Sequence, residues 1–546
     1  MKNATVAAAS LPETLTPTVI IGLSLLVLVV TLLVRPANGK SPPMLGELIP
    51  YFSNTYQFAA DTQGFLDRAK KLLIGSKSSI VGYHLAGRNA YLVTGAANIQ
   101  NFFRSTPSID FERFFIYVLI NVMGATPKDV AKFANDKTGR LATPLPGSET
   151  PPQGQRYWAS LHAIMHKYLS QKRYTDGLAT IYERFFSAEM DGHFPLGEPI
   201  EVAISSMIKR RMVKVAMLSF QGKRIFEVEP HIVDAMWGYD EVIPRLLFGP
   251  PRWLFRKTYA TADRFCNAVL RYYQDAHAAF DWDGPDAEAD WDPIFGSRFN
   301  REFCKWMKES DFDPRTCGGL EGVVAIMASN ANTTPVTTWM LIHILSSPAL
   351  VSAVREEVAS ALSPHPTTGL PTFNIQALTS LPLLQSIYTE TLRLHVSVNI
   401  MREVIKPLDI AGYTLAPGSI IQAPTSVAHF DEEVWAVDGH PASEFYAERH
   451  IKVVDGKRAF ECAGKGSNLF PFGGGVVMCP GRHFAKQEIL LTVAMLLSKF
   501  EIEFVEWVRV DDGKPAGRAP RDDTRQAGAG GMHPDVDMKV RMTRVW

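Results

Sequence analysis

Apolar and polar positions change rhythm several times along the chain, and each rhythm predicts an element. The first is an unbroken apolar run, TVIIGLSLLVLVVTLLV from Thr18 to Val34, 17 residues without a charge. That length just crosses a bilayer as a helix, and the Pro-rich RPANGKSPP after it cannot continue one. A cleaved signal peptide fits less well, because Lys2 is the only basic residue before a run longer than a usual h-region. Arg35 and Lys40 lie on the C-terminal side, so the positive-inside rule leaves the body facing the cytosol and Asn3-Ala4-Thr5 on the lumenal side. Residues 1–40 are therefore expected to be a membrane anchor and hinge, and residues 41–546 the body.

The body reads as mainly α with small β-sheets. SSIVGYHLAGRNAYLVTG (Ser78–Gly95) carries two short apolar runs around AGRN and predicts a β-hairpin. Apolar spacing of three and four predicts amphipathic helices over Arg156–Leu169 and Met207–Leu218. The acidic, Pro-bearing DWDGPDAEADWDP (Asp281–Pro293) predicts an exposed loop. Helical rhythm returns at Gly318–Leu345 and Leu383–Leu394. IKPLDIAGYTLAPGSIIQAPT (Ile405–Thr425) predicts short strands with a turn at Pro417-Gly418. No internal repeat or second composition regime divides the body, so one domain behind one anchor is expected.

Composition narrows the function classes. Lys+Arg and Asp+Glu are both 56, so there is no basic excess of the kind that nucleic-acid binding needs, and no nucleic-acid partner is expected. The five cysteines, Cys266, Cys304, Cys317, Cys462 and Cys479, are scattered and lack C-x-x-C spacing. That argues against a disulfide framework and a zinc site, and fits a reducing compartment.

One cysteine stands out. In PFGGGVVMCPGRHF (Pro471–Phe484), Phe472, Gly475, Cys479 and Gly481 follow the spacing F-x-x-G-x-x-x-C-x-G. Glycines permit a tight turn that brings backbone N–H groups near the sulfur, and a helical pattern begins at Gly481. Both features favour a thiolate, which can hold a metal; a buried cysteine in a glycine-rich turn is the blander alternative. Glu390 and Arg393 fall three apart on one face of a predicted helix, and Arg449 in FYAERHI can complete a Glu-Arg-Arg cluster. Arg402 in NIMREV is a cation between them. In this order the features resemble the cytochrome P450 family over essentially the whole chain.

That resemblance implies a P450 fold, a haem b whose iron is held by Cys479, and a propionate contact for Arg402. It also implies electrons from NADPH through the membrane NADPH–cytochrome P450 reductase. The family's central helix carries small-Gly-x-acid-Thr; here MASNANTTPVTTW keeps Thr333 but places Asn330 and Asn332 at the glycine and acid positions. This variant is similar to the branch holding sterol 7α- and 12α-hydroxylases and prostacyclin synthase. Thr333 is then the hydroxyl that serves dioxygen, while Asn332 cannot supply a proton and water must relay it. Val477 replaces a usual basic partner, and WASLH gives Trp158 and His162 where W-x-x-x-R is usual, so His162 is either a propionate ligand or structural. Ala447 and His450 depart from the family pattern near Arg449.

By analogy, Phe111, Phe114, Phe115, Ala328, Ser329 and Val396–Ile400 line the pocket, and Lys167, Lys172 and Arg173 form part of a reductase-docking face or a plain solvated surface. The resemblance implies monooxygenation of a lipophilic small molecule (terpenoid, sterol, alkaloid or polyketide) in specialised metabolism, at the endoplasmic reticulum membrane. Two rivals stand beside it. A reductase-independent isomerase or dehydratase acting on a peroxide is favoured by Asn332 and opposed by Thr333. A non-catalytic membrane haem-binding protein is opposed by the near-complete motif set.

Overall fold

The computed structural model describes residues 41–105, 107–151, 155–365, 369–437, 439–462 and 465–546. The expected anchor and hinge, 1–40, lie outside the described residues. Among the described residues, no single helix is long and apolar enough to cross a membrane.

The body is mostly helical with small sheets, as its periodicity predicts. Two long helices form the centre. Arg482–Lys499 is buried along Ile489–Leu497, and Thr333–Leu345 is buried on nearly every face. A helix apolar all round belongs inside a large core. Three of the threonines in this helix are satisfied within it: Thr333, Thr337 and Thr338 donate to the carbonyls of Ser329, Thr333 and Thr334 at 2.8–3.0 Å, while the buried Thr334 hydroxyl has no partner. The predicted helix over 318–345 is not regular. It contains a π-helical stretch, Glu321–Met327, and its ladder breaks at Ala331–Asn332 before Thr333–Leu345 begins. Such irregularities gather at functional sites.

Around this centre pack Tyr157–Ser170, Ile204–Gln221 and Pro382–His395, close to the predicted bounds, the last opened by a proline at its first turn. The predicted hairpin is Ile80–Leu85 with Arg88–Val93, turning through Ala86 and Gly87 at φ 49° and 77°. It forms one end of a six-stranded sheet. Arg88–Val93 pairs in parallel with Ile420–Pro424, which pairs antiparallel with Val396–Val404; Ala529–Gly531 and Ile109–Asp110 both pair with that last strand. Phe500–Arg509, Val536–Arg544 and Pro199–Ala203 make a separate three-stranded sheet. One large apolar cluster fills the helical region, and a smaller one, including Phe102, Ile400 and Ile421, lies under the six-stranded sheet.

Candidate active site

The Glu-Arg-Arg cluster forms. Glu390 accepts from Arg393 Nε and Nη2 at 2.8 Å each and from Arg449 Nε at 2.7 Å, and all three side chains are 0 % exposed. Arg393 also donates to the carbonyls of His429 and Ala442, tying the Pro382–His395 helix to the chain leading to the cysteine loop. His450, at the position that departs from the family pattern, lies 3.4 Å from Glu390 Oε2. Burial alone would raise the Glu390 carboxyl, but Arg393, His450 and Arg449 outweigh it and hold it at about 2.

Cys479 lies three residues before Arg482, the start of the Arg482–Lys499 helix, and its N–H donates to Phe472 O at 3.0 Å. Gly475 sits at φ 65°, where a Cβ would come within 2.6 Å of Phe103 O, so glycine is required there. Gly481 is different: its φ is −73°, an ordinary helical value, and a Cβ would lie 3.8 Å from the sulfur. Its lack of a side chain keeps the space beside Cys479 open rather than permitting a turn. Burial raises the Cys479 thiol, against the Gly481 N–H, the Arg482 charge and the Arg482 N–H, which lower it. The donors expected from the sequence are present, yet burial outweighs them. A cation at the sulfur is what would hold the thiolate.

The sulfur opens onto a cavity of about 380 Å³. Its walls come from the segment before and at Thr333, the cysteine loop, the Arg482–Lys499 helix, the Val396–Val404 strand and Ala529. Of the expected pocket residues, Phe111, Phe114, Ala328, Ser329, Val396, Val398, Asn399 and Ile400 line it. Phe115 does not; it packs edge-on against Trp158 at 5.4 Å. Ser397 does not either, because its hydroxyl accepts the Gly528 N–H. A smaller cavity of about 210 Å³ near Cys266 contains none of the motif residues, and its Arg252 and Asp263 pair with each other.

The propionate candidates are rearranged. Trp158 is fully buried and its indole N–H donates to Phe133 O at 3.0 Å, so that donor is already used. His162 is not among the residues lining the cavity; it faces the Val476 backbone, and burial, then the charge of Arg140, lowers its pKa. Arg402 does line the cavity. It donates to Met401 O at 2.7 Å and, among the described residues, pairs with no carboxylate; burial, then Arg140, lowers it to about 10.

Arg140 is the residue the sequence reading missed. Its guanidinium lies 4.8 Å from the Phe111 ring centre and 4.7 Å from that of Trp158. Its Nη2 is buried without a hydrogen-bond partner, and its nearest carboxylate, Glu112, is 3.7 Å away. Glu112 is itself raised to about 7, by burial first, against the charge of Arg140. Nothing in DKTGRLA marks this arginine. A signal did exist for a second missed residue: Glu488, an acid opening the apolar stretch ILLTVAMLL. Its side chain helps line the cavity beside Thr333, both carboxyl oxygens lack a partner, and burial raises it well above the usual range.

Thr333 is buried and its hydroxyl donates to Ser329 O at 3.0 Å. Asn332, expected beside Thr333 as a site residue that cannot supply a proton, has a partner: its Oδ1 accepts the Gly531 N–H at 2.9 Å.

A cysteine open to an apolar cavity, a buried Arg402 that pairs with no carboxylate among the described residues, Arg140 over the same Phe111 ring, and a glycine-built loop fit a haem, whose iron Cys479 would hold and whose propionates the arginines would face. The fold and site therefore define the class of helical haem-thiolate proteins. Comparison with known proteins agrees. The cytochrome P450 family model matches residues 321–516. The chain is 42% identical over 509 residues to cytochrome P450 monooxygenase calL of Penicillium decumbens, covering 93% of this chain and 94% of that one. It is 27% identical to cytochrome P450 monooxygenase fsoE of Humicola fuscoatra, over 93% and 88%. Over 40% of its length it is 28% identical to the human 7-alpha-hydroxycholest-4-en-3-one 12-alpha-hydroxylase, covering 43% of that protein. The chain belongs to the cytochrome P450 family and is a monooxygenase resembling the sterol-hydroxylase branch. Family membership brings a haem iron, electrons from a redox partner and a small-molecule substrate.

Proposed function

We propose that this enzyme inserts one atom of dioxygen into a lipophilic molecule of terpenoid, sterol, alkaloid or polyketide type, in specialised-metabolite biosynthesis. The observation carrying this is the cavity wall, where Phe111, Phe114, Val324, Val336, Val396 and Ile400 line the same cavity as Cys479 and Thr333. An apolar enclosure with few polar groups recognises a substrate by shape and burial. The haem iron, when bound, supplies the activation of dioxygen. Cys479 would hold the iron, and Arg402, with Arg140 over the same Phe111 ring, would face the propionates. The Thr333 hydroxyl donates to Ser329 O, which leaves its oxygen able to accept from water and so to order a proton-bearing water in the cavity.

The enzyme is anchored to the endoplasmic reticulum by residues 18–34, faces the cytosol, and receives electrons from NADPH–cytochrome P450 reductase. Exposed Phe248, Trp253, Leu254 and Phe255 between two long helices support contact with lipid. Exposed Lys167, Lys172 and Arg173 support reductase docking on the cysteine side, since neighbouring Ser170 donates to Pro480 O.

The test is to delete the gene and identify the lipophilic metabolite that accumulates. It is then incubated with microsomes containing the protein, reductase, NADPH and ¹⁸O₂. One ¹⁸O atom should enter the product. Turnover without NADPH or ¹⁸O uptake would instead show a peroxide isomerase, and no turnover of any accumulating compound a non-catalytic haem protein. Removing residues 1–34 should shift protein out of the membrane fraction with haem retained; secretion of a shortened chain would show a signal peptide.

A further inference from the structure

The segment Ala527–Met532 crosses the front of the helix that begins at Thr333. Along one edge it pairs with the Val396–Val404 strand, in the register Ala529↔Val398, Gly530↔Ser397 and Gly531↔Val396. Gly528 continues that edge, its N–H donating to Ser397 Oγ and its carbonyl accepting from Asn399 N–H. The Gly531 N–H goes to no strand and donates instead to Asn332 Oδ1 at 2.9 Å. Approach on this side is close enough to require glycines. A Cβ at Gly530 would overlap Asn332 Oδ1, and one at Gly531 would lie 2.8 Å from Pro335 Cγ. Further along, the Trp339 indole donates to Met532 O and Met532 N–H donates to His395 O, each at 2.9 Å.

Asn332 and Ala529 both line the cavity. The hydrogen bond therefore joins two of its walls, and it does so where the helical ladder breaks at Ala331–Asn332. We propose that Asn332 is a positioning residue: its side-chain oxygen latches the 529–531 strand onto the start of the Thr333 helix and so fixes the cavity wall that bulky ligands must fit. This goes beyond the proposed function, because the latch acts whatever the substrate is. It also gives Asn332 a task that needs no proton. Its amide oxygen accepts a hydrogen bond, and a carboxylate at the same place can accept the same one.

Three full-length proteins in detergent test it, each with haem bound: wild type, Asn332→Leu and Asn332→Asp. Leucine keeps most of the volume and removes the acceptor; aspartate restores the acceptor. Hydrogen exchange is followed for the peptide spanning 527–535. Titration with imidazole and with the bulky azole clotrimazole, read by the shift of the Soret band, reports cavity shape. In Asn332→Leu, exchange of the 529–532 amides should rise roughly tenfold, because a buried N–H has lost its acceptor. Clotrimazole affinity should fall relative to imidazole, and Asn332→Asp should return both readings to wild type. Unchanged exchange in the leucine protein, or an aspartate protein that exchanges like it, would overturn the latch. Faster exchange with an unchanged clotrimazole-to-imidazole ratio would overturn its hold on the cavity.

Discussion

Replacing Glu390 by glutamine removes one charge from the Glu390–Arg393–Arg449 cluster and almost no volume. The carboxylate accepts from both arginines and from the Tyr446 N–H, with no part of the three side chains exposed. Its pKa stands at about 2 against an ordinary 4.5. At roughly 1.4 kcal/mol per pH unit, that gap is about 3 kcal/mol of folding stability at neutral pH. A second route gives a similar size: removing one partner of a buried ion pair costs roughly 3–5 kcal/mol, because the other charges stay buried. The sign follows from the direction. A carboxyl held low contributes fully above about 4.5 and loses that contribution as pH falls toward about 2. Wild type should therefore exceed Glu390→Gln by about 3 kcal/mol at pH 7, with the two converging as pH drops below 4.5. Urea unfolding of the full-length protein, followed by tryptophan fluorescence at several pH values, measures it. A difference under about 1 kcal/mol at pH 7, or one that does not narrow in acid, would show that the cluster is not the buried, charge-balanced unit described.

Four further outcomes follow from the site. Cys479→Ala and Cys479→His should abolish the thiolate-type Soret band of the ferrous carbon monoxide complex; a retained band would move the ligand to another cysteine such as Cys462. Arg140→Leu should release haem to apomyoglobin roughly ten- to a hundredfold faster, the worth of a charge-assisted bond, without lowering the urea midpoint of the haem-free chain, whereas His162→Ala should do much less. Thr333→Ala should cut product on the order of a hundredfold while NADPH is still consumed and peroxide released; unchanged product made without reductase would refute monooxygenation. Burial holds the Glu488 carboxyl well above its ordinary value, so its contribution is whole below its unfolded value and fades as pH rises through the folded one. Glu488→Gln should gain on wild type as pH increases, and equal pH profiles by urea unfolding would refute this.

What was legible in the sequence was what local rules decide. The hairpin at Ala86-Gly87, the helix over Pro382–His395 and the helix start after Cys479 each depend on residues close in sequence, and each appears near its predicted place. The Glu390 cluster was legible from the three-residue spacing of Glu390 and Arg393 and from Arg449 in FYAERHI, in the order the family resemblance implies. The 318–345 region was read as one regular helix and is not, because its apolar rhythm does not reveal that Asn332 will be drawn to Gly531, 199 residues later. Gly481 was read as a turn glycine from its spacing alone, yet its backbone is ordinary. Phe115 and Ser397 were expected in the cavity wall because their neighbours lie there. One packs on Trp158 and the other is consumed by a backbone N–H, outcomes set by partners distant in sequence.

The charges at the cavity edge show how position can be kept while sequence changes. The helix residue usually supplying an arginine is His162, and the Trp158 indole is spent on Phe133. Neither leaves the neighbourhood without positive charge, because Arg402 lines the cavity and Arg140, from outside that helix, lies over the Trp158 ring. Arg140 and Arg402 both stand over Phe111, 4.8 and 4.7 Å from the ring centre. Attraction to the ring's negative face offsets part of the cost of holding a guanidinium away from water. It does not offset all of it, since Arg402 still falls to about 10 and one Arg140 nitrogen remains unpartnered. Two like charges lie close together, and the carboxylate that pairs with either of them among the described residues is Glu112, 3.7 Å from Arg140, so together they are unfavourable for the protein alone. They become favourable when an anion with two carboxylates occupies the edge, as the propionates of a haem would. The charge of Arg402, unpaired by any carboxylate among the described residues, is thus better explained by an anionic ligand at this edge than by the fold alone.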